Sequence, residues 1–338
     1  MRRLTRILMA VLLTLLVAGT TWAKTDLKIA LVLDTTIEEG WAASYIQAME
    51  AVLKEKPGGL NVEYKYVENV STGDGERVMK TFANMGGYDV LIFHSGAYKD
   101  AVMAVAKAHP EKLVVVNGSG FKAVGGNILH TDAWAHEPAY LMGIVAGKMT
   151  KTNTIGAVAA FPYANINLPV NAFFAGAKSV NPEIKQVVTY IESWFDPAKA
   201  KESAAAQISA GADMIFAERF GVFEAAREGG IYAFGNKKDE HNAAPDVVLS
   251  SAISSWGGSI KEAISLWSEN KKSGKGYDLP AETFVASMAQ GGSAMAPYHN
   301  LESKVPQDVK DAVEKTKQEI LAGTLKVPAI FEKAESSR

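Results

Sequence analysis

The chain has 338 residues, a formal net charge of −2 and 48% hydrophobic residues. That length allows two domains, and the near-neutral charge offers no basic surface for nucleic acid or for an anionic membrane. There is no cysteine, which excludes disulfides, thiolate metal sites, cysteine catalysis and a cysteine-linked lipid anchor. We therefore expect a fold that depends on its apolar core alone.

The first 23 residues have the pattern of a secretory signal peptide. Arg2, Arg3 and Arg6 precede an apolar run over residues 7–17, and Thr21 and Ala23 are small residues suited to cleavage. The apolar run is too short to span a membrane. We expect the mature protein to begin near residue 24 and to be periplasmic.

Strand and helix patterns alternate along the rest of the chain. In the first half, apolar strand patterns cover residues 27–34, 62–66, 90–94, 113–117 and 127–130, and helix patterns cover 41–54, 75–85, 101–108 and 140–149. The second half repeats them, with strands at 155–160, 186–191, 214–217 and 231–235 and helices at 168–179, 199–210 and 222–228. The last third offers strands at 247–253 and 283–286 and a helix at 305–322.

This alternation predicts the fold class. Near-continuous apolar strands followed by amphipathic helices indicate parallel sheets covered on both faces. Two halves of about 110 residues each predict an α/β protein with two Rossmann-like lobes joined by a hinge. The last third is too small for a third domain, so we expect it to complete both lobes. Lobe 1 is then residues 24–132 plus about 255–290, lobe 2 is residues 133–254 plus about 291–338, and the hinge lies near Ala133 and Ser255.

Enzyme motifs are missing from the sequence. No Gly-x-Gly-x-x-Gly follows the first strand, no phosphate-binding loop is present, and the six histidines lack metal-ligand spacing. His136-Glu137 and Glu38-Glu39 are better explained as polar residues at helix starts than as acid–base pairs. We therefore predict no catalytic residues, no metal and no cofactor.

Aromatic and polar residues recur where the predicted strands end. In open α/β sheets, ligands bind beyond the carboxyl ends of the strands. One such junction is Trp194-Phe195, placed before a helix that Asp196 caps and Pro197 begins. Any one of these aromatics, taken alone, is more often a core residue, but their recurrence in both halves favours a site for a polar heteroaromatic ring. The candidate ligand contacts are Trp41, Ser95, Tyr98, Asp132, Trp134, Asn165, Asn167, Trp194, Phe195, Glu218, Asn236 and Lys237.

Several short segments, taken in their order along the chain, give the mature protein a resemblance to a known family. They are residues 28–34 with Gly40-Trp41, and residues 139–147, 158–162, 171–182, 193–199, 208–213, 232–235 and 296–298. In their order and spacing they resemble the basic membrane protein family of ABC-transporter substrate-binding proteins, the purine-nucleoside-receptor-like group of type I periplasmic binding proteins.

The resemblance implies a two-lobed binder that closes over one small molecule and delivers it to an inner-membrane permease. Known ligands of the family are mostly purine nucleosides, with the base held between two aromatic rings. Trp41 matches the first ring position, either Trp194 or Phe195 matches the second, and Asp132 matches an acidic residue before the central helix.

Three positions depart from the family pattern. Nucleoside-binding members usually have an acidic residue and a lysine at the places of Lys237 and Ser254, which grip the ribose. The segment around Trp41 also lacks the asparagine that often follows the aromatic. Because a site rejects ligands that leave its buried polar groups unmatched, a free base becomes a serious competitor to a nucleoside.

The leading hypothesis is a monomeric periplasmic receptor for a purine-type ligand. A sugar or polyol receptor is an alternative on the same fold, since aromatic faces also stack on pyranose rings. A secreted nucleoside hydrolase or phosphorylase and a chemoreceptor-coupled sensor are further alternatives from other classes.

Overall fold

The computed structural model describes residues 25–38 and 40–337, so the predicted signal peptide lies outside the described residues. Strands and helices alternate, which confirms the predicted α/β class. The strands are β1 (Leu27–Leu33), β2 (Val62–Val67), β3 (Tyr88–His94), β4 (Leu113–Asn117), β5 (Ile128–Asp132), β6 (Thr154–Ala159), β7 (Lys185–Tyr190), β8 (Met214–Ala217), β9 (Tyr232–Lys237), β10 (Val248–Ser254), β11 (Thr283–Val285) and β12 (Ser293–Met295). The helices are α1 (Gly40–Lys54), α2 (Gly75–Asn84), α3 (Lys99–Ala108), α4 (His136–Met149), α5 (Ala164–Val180), α6 (Pro197–Ser209), α7 (Val222–Glu228), α8 (Gly257–Ser273) and α9 (Gln307–Leu321).

The first sheet has six strands in the order β11-β5-β4-β3-β1-β2, and all its neighbouring strands are parallel. Its central strands are apolar throughout because helices cover both faces. In β1, Leu31 and Leu33 pack toward α1 and α8, whereas Ala30 and Val32 pack toward α2 and α3. All the carboxyl ends of these strands therefore lie along one edge of the sheet.

The second sheet repeats this arrangement in the order β12-β10-β9-β8-β6-β7. Its strands are parallel except β12, a strand that the sequence analysis did not predict, which runs antiparallel to β10. Ser293 pairs with Ser254 at the carboxyl end of β10. Since the chain enters β12 at that end, it can only run back along β10.

Helices α4 and α5 pack closely on the second sheet. A Cβ atom added to Gly143 would lie 1.9 Å from the carbonyl oxygen of Phe173, and one on Gly176 would lie 2.0 Å from the carbonyl oxygen of Tyr140. Both contacts are far inside van der Waals distance. Glycine at these two positions therefore sets the separation of the two helices.

Three crossovers connect the parts of the chain that form the two sheets. They are residues 133–135, residues 255–256 and residues 286–292. The sequence predicted a hinge near the first two, and its expected lobe boundary near residue 290 falls in the third. The backbone nitrogen of Ser255 donates to the carbonyl of Gly292 at 2.8 Å, and Glu137 Oε2 accepts from the nitrogen of Met288 at 2.6 Å. These bonds tie the third crossover to the second and to the start of α4. The lobe boundaries themselves stay a prediction.

The C-terminal segment lies along β7, the edge strand of the second sheet. Ser337 and Gln186 are joined by two hydrogen bonds, and Ser336 Oγ accepts from the nitrogen of Val188 at 3.0 Å. Further back, Asn171 Nδ2 donates to the carbonyl of Glu332 at 2.8 Å. The segment therefore covers an edge that would otherwise expose unpaired backbone groups.

Candidate functional site

Trp41 is the most prominent aromatic residue at the carboxyl edge of the first sheet. It lies in the first turn of α1 and is 38% exposed. Its ring stacks on His94 with 4.6 Å between centroids and an interplanar angle of 19°, and it meets Trp256 edge-on at 5.2 Å. The indole Nε1 donates to the carbonyl of His94 at 3.2 Å. One face of the indole is thus supported by the protein while part of the ring stays open.

His94 lies buried beneath Trp41 in a chain of hydrogen bonds. Its Nδ1 accepts from Asn117 Nδ2 at 3.0 Å, and Asn117 Oδ1 accepts from Thr131 Oγ1 at 2.7 Å. That leaves the proton on Nε2, which donates to the carbonyl of Trp41 at 3.2 Å. Burial lowers the pKa of His94 to about 3, against a smaller opposing effect of the bond to Trp41. The imidazole is therefore neutral and holds both the backbone and the ring of Trp41.

The other candidates of the first sheet differ in what they can offer a ligand. Ser95 is half-buried, and its Oγ accepts from the nitrogen of Ala97 at 3.3 Å. Asp132 is half-buried at the end of β5, with Oδ1 accepting from the nitrogen of Ala133 at 2.8 Å. Tyr98 is only 1% exposed, and its hydroxyl donates to the carbonyl of Val70 at 2.5 Å. We therefore leave Tyr98 out of the proposed contacts, because it is a core residue with a satisfied hydroxyl.

Two tryptophans lie in the crossovers. Trp134 is half-buried, and its ring contacts Phe331 of the C-terminal segment edge-on at 5.3 Å. Trp256 is buried against Trp41 and His94. The sequence analysis did not select His94 or Trp256. Trp256 did carry a detectable signal, because it follows the end of a strand as the selected aromatics do.

Trp194 and Phe195 occupy different surroundings at the carboxyl edge of the second sheet. The ring of Trp194 is 5.0 Å from that of Phe161 and 5.9 Å from that of Tyr163, and Trp194 is 52% exposed. Phe195 is 72% exposed and contacts the ring of Phe220 at 6.2 Å. Trp194 thus belongs to an aromatic cluster, whereas Phe195 points away from it. The predicted helix start is confirmed, since Asp196 accepts from the nitrogen of Lys199 and Pro197 is the first residue of α6.

Glu218 is fully occupied by protein partners. Its side chain is buried, with Oε2 accepting from the nitrogen of Ala160 at 3.1 Å and from Arg219 Nε at 2.8 Å. Oε1 accepts from Arg219 Nη2 and from Asn236 Nδ2, the latter at 3.2 Å. A carboxylate with two donors on each oxygen has little capacity left for a ligand. Glu218 therefore holds its neighbours and is not a proposed contact.

The asparagines of α5 have separate roles. Asn165 lies half-buried in the first turn. Asn167 is buried, with Nδ2 donating to the carbonyls of Pro162 at 3.1 Å and Phe331 at 2.9 Å, and Oδ1 accepting from the hydroxyl of Tyr190 at 2.7 Å. Because these bonds use both of its donors, we leave Asn167 out of the proposed contacts as well.

Lys237 ends β9 with an exposed side chain and a φ of 70°, in the left-handed region that non-glycine residues rarely adopt. Such a conformation costs energy and is often found at functional positions. Lys237 therefore stays in the proposed site.

The chemistry of these residues is that of binding. The rings around Trp41 and those around Trp194 form two separate groups within the described residues. Across residues 25–38 and 40–337, no three His, Asp or Glu side chains are grouped closely enough to hold a metal ion. No helix in that same part of the chain combines the length and the apolar character that a membrane crossing needs. The arrangement offers flat stacking surfaces and a few oriented polar groups.

Two mostly parallel α/β sheets joined by crossovers define the class of type I periplasmic binding proteins. A solved ABC transporter solute-binding protein from Conexibacter woesei has the same fold, with 20% identity and a TM-score of 0.69 over 90% of this chain and 100% of that chain. The chain belongs to the Bmp family, described as ABC transporter substrate-binding protein PnrA-like, whose pattern matches residues 27–330.

Two relatives are similar over most of the chain. A purine-binding protein of Brucella abortus is 31% identical over 290 residues, covering 85% of this chain and 78% of that protein. A putative ABC transporter glucose-binding protein of Haloferax volcanii, TsgA13, is 31% identical over 290 residues, covering 85% of this chain and 70% of that protein. The family consists of transport substrate-binding proteins and not enzymes, so this chain binds a small molecule outside the cytoplasmic membrane for a permease partner.

Proposed function

We propose that this protein is the periplasmic receptor of an ABC importer for a purine-type ligand, either a nucleoside or a free nucleobase such as adenine. The observation that carries the proposal is a pair of exposed indoles, Trp41 and Trp194, at the carboxyl edges of two different sheets. Flat aromatic faces gain most by stacking on another flat ring. Two such faces can hold one ring between them.

We propose further that the two sheets belong to lobes that close around the three crossovers. Lobe 1 would be residues 24–132 plus about 255–290, and lobe 2 residues 133–254 plus about 291–338. Helix α8 packs on the first sheet and α9 on α4, so each returning segment contacts the part of the chain to which we assign it. Hinge closure is a common movement of two-lobed binders. A monomer suffices, because one chain carries both indoles.

Polar side chains near the indoles suit the edges of a heterocycle. Ser95, Asp132 and Asn165 are half-buried at the same sheet edges as Trp41 and Trp194. The relative from Brucella abortus is named a purine-binding protein. By the family resemblance, Lys237 and Ser254 stand where nucleoside-binding members usually grip ribose with an acidic residue and a lysine, which makes a free base a serious competitor to a nucleoside.

Calorimetry of the secreted protein, purified without a refolding step, with adenine, adenosine, guanosine and xanthine tests the proposal. We expect binding to at least one of them, with the free bases at least as tight as the nucleosides. Native mass spectrometry of the same sample adds an independent check, because a retained ligand appears as a mass difference. If the protein binds none of these purines, the proposed ligand class is wrong.

A sugar receptor is the second candidate, favoured by the name of the relative from Haloferax volcanii. Indole faces also stack on the apolar faces of pyranose rings. The same calorimetry with glucose and ribose separates the two candidates. Sugar binding without purine binding selects this alternative.

A further inference from the structure

Four side chains at the carboxyl edge of the second sheet form one connected unit. Arg219 Nη1 donates to the carbonyl of Trp194 at 3.0 Å, and its guanidinium carbon lies 5.8 Å from the centre of the indole ring. Nε and Nη2 of the same guanidinium donate to Glu218. Asn236 Nδ2 then donates to Glu218 Oε1. The unit therefore links the proposed stacking surface of Trp194 to the amide of Asn236.

Glu218 fixes the orientation of that amide. Of the two polar atoms of the Asn236 amide, only the nitrogen can donate to a carboxylate oxygen. If the amide were flipped, its oxygen would face the Glu218 oxygen, and two acceptors would lie together. Because the carboxylate is buried and already holds Arg219 and the nitrogen of Ala160, it cannot turn away to accept a flipped amide. Asn236 therefore presents Oδ1 in a fixed direction.

This oxygen lacks a protein partner. Asn236 is 7% exposed, and its Oδ1 is buried without a hydrogen bond to any described residue. Leaving such an acceptor unpaired is unfavourable, and native proteins pair nearly all of them with protein, water or a ligand. Asn236 is the last residue but one of β9, and Glu218 directly follows the neighbouring strand β8, so both lie at the sheet edge where ligands of this architecture bind.

We propose that Asn236 Oδ1 accepts a hydrogen bond from an N–H group on the edge of a heterocycle stacked on Trp194. The inference rests on the proposed function and makes Asn236 the residue that determines specificity within it. The ligand class is then a nitrogen heterocycle with an N–H donor on its edge, as in an aminopurine or an oxopurine. An analogue of the same shape without that donor leaves Oδ1 unpaired in a closed site and is rejected.

The test removes the donor from the ligand and the acceptor from the protein in turn. The probes are adenine with 6-methylpurine and 9-methyladenine, and hypoxanthine with 1-methylhypoxanthine. Each analogue lacks one donor group of its parent: the amino group, N9–H and N1–H, respectively. We expect one such deletion to weaken binding to the wild type by about 10- to 100-fold. In Asn236→Leu the same deletion should change affinity by less than about threefold. Asn236→Ala is the second variant if leucine does not fit the site.

Ser250→Ala is the matched control, because Ser250 is also buried at a strand of the second sheet and donates to the carbonyl of Ala296 at 2.7 Å. It should keep the full preference of the wild type for the donor-bearing probe. The inference is overturned if Asn236→Leu weakens the adenine and hypoxanthine probes and their analogues by one common factor. A wild type that binds none of these purines overturns the proposed function and this inference with it, which is a distinct result.

Discussion

Trp41 and Trp194 are held in place by different chemistry. A neutral imidazole stacks beneath Trp41 and donates to its carbonyl. A guanidinium donates to the carbonyl of Trp194, and the carboxylate of Glu218 neutralises it. Both indoles therefore have a backbone carbonyl bound by a side chain from another strand end. A stacking surface fixed in this way loses little conformational freedom when a ligand binds.

Replacing Trp194 by alanine should weaken purine binding by about 1–3 kcal/mol, the range of a base stacked on an aromatic side chain. Phe195→Ala is the matched control, since Phe195 is the adjacent aromatic residue but contacts Phe220 and not the Phe161–Tyr163 cluster. Its affinity should stay within about twofold of the wild type. Calorimetry with the tightest-binding purine measures both. The reverse ranking would transfer the stacking role to Phe195.

His94 should make stability depend on pH. Its pKa is lowered from 6.5 to about 3, so the unfolded chain takes up a proton at higher pH than the folded protein. The contribution to stability is complete above pH 6.5 and is lost as the pH falls from there toward 3. The loss approaches about 1.4 kcal/mol per pH unit for one such histidine. His136, whose pKa burial lowers to about 4, adds a loss of the same sign.

Urea unfolding of the wild type and of His94→Gln at pH 7.5, 5.5 and 4.5 isolates this contribution. Glutamine does not titrate, and its amide nitrogen can still donate to the carbonyl of Trp41. We expect the free energy of unfolding to fall less steeply with pH in the variant. Equal slopes in the two proteins would show that His94 is not the neutral buried group that its surroundings indicate.

The sequence placed several proposed contacts at the carboxyl edges of the sheets but did not give their side-chain orientations. Strand-end position was enough to select Trp41, Trp194 and Asn236, because the carboxyl ends of parallel strands share one edge. The same rule selected Tyr98 and Asn167, whose polar atoms are bound by Val70 and Phe331. These partners lie 28 and 164 residues away along the chain. Side-chain direction at a strand end thus depends on tertiary contacts that a local pattern does not contain.

At the level of elements, helices α4 and α5 pack closely against each other on the second sheet. Most residues of α4 are buried on every side, between the sheet, α5 and α9. Gly143 and Gly176 face the backbone of the opposite helix at distances that leave no room for a side chain. Small residues are therefore a steric requirement here, and they fall within segments that carry the family resemblance.

Gly143→Ala should destabilise the protein by about 1–3 kcal/mol or more, because the new methyl group would overlap the carbonyl of Phe173. The matched control is Gly257→Ala in the first turn of α8, where the nearest atom to an added Cβ is 3.4 Å away. Alanine has the higher helix propensity, so this control should be neutral or slightly stabilising. Thermal denaturation measures both changes. Similar melting temperatures for the two variants would contradict the close packing of α4 and α5.

Helix α8 was not predicted from the sequence patterns. Its apolar residues Ile260, Ile264 and Trp267 have helical spacing and are buried on the first sheet. The helix starts at Gly257-Gly258-Ser259, a composition typical of a loop, and no side-chain cap marks its beginning. The start is set instead by tertiary packing, with Trp256 buried against Tyr45 and Trp41.

At the level of the whole molecule, the doubled strand and helix pattern predicted the architecture because each half contributes most of the strands of one sheet. The pattern does not extend over residues 286–292, so the sequence placed a lobe boundary near residue 290 without selecting this third crossover as part of the hinge. Residues 286–292 are joined to Ser255 and Glu137 by backbone and side-chain hydrogen bonds. Three connections placed side by side restrict relative motion to fewer directions than two would. They fit a hinge that opens and closes along one path.

Closure should bring the carboxyl edges of the two sheets together when ligand binds. The chain has no cysteine, so pairs introduced for labelling are unique. Lys99 at the start of α3 and Lys199 in α6 are exposed near the edges of the first and the second sheet, respectively. Adenine should shorten the distance between labels on Lys99→Cys and Lys199→Cys. The control pair is Lys99→Cys with Lys65→Cys, which lies on β2 of the same sheet as β3, and its distance should not change. Pulsed electron paramagnetic resonance reads both distances directly.

If calorimetry shows that adenine binds and the first pair keeps its distance, the two sheets do not close over the ligand, and Trp41 and Trp194 cannot both stack on it. A shortened first distance with an unchanged control would show that adenine favours a state in which the two carboxyl edges lie closer together, as stacking on both indoles requires.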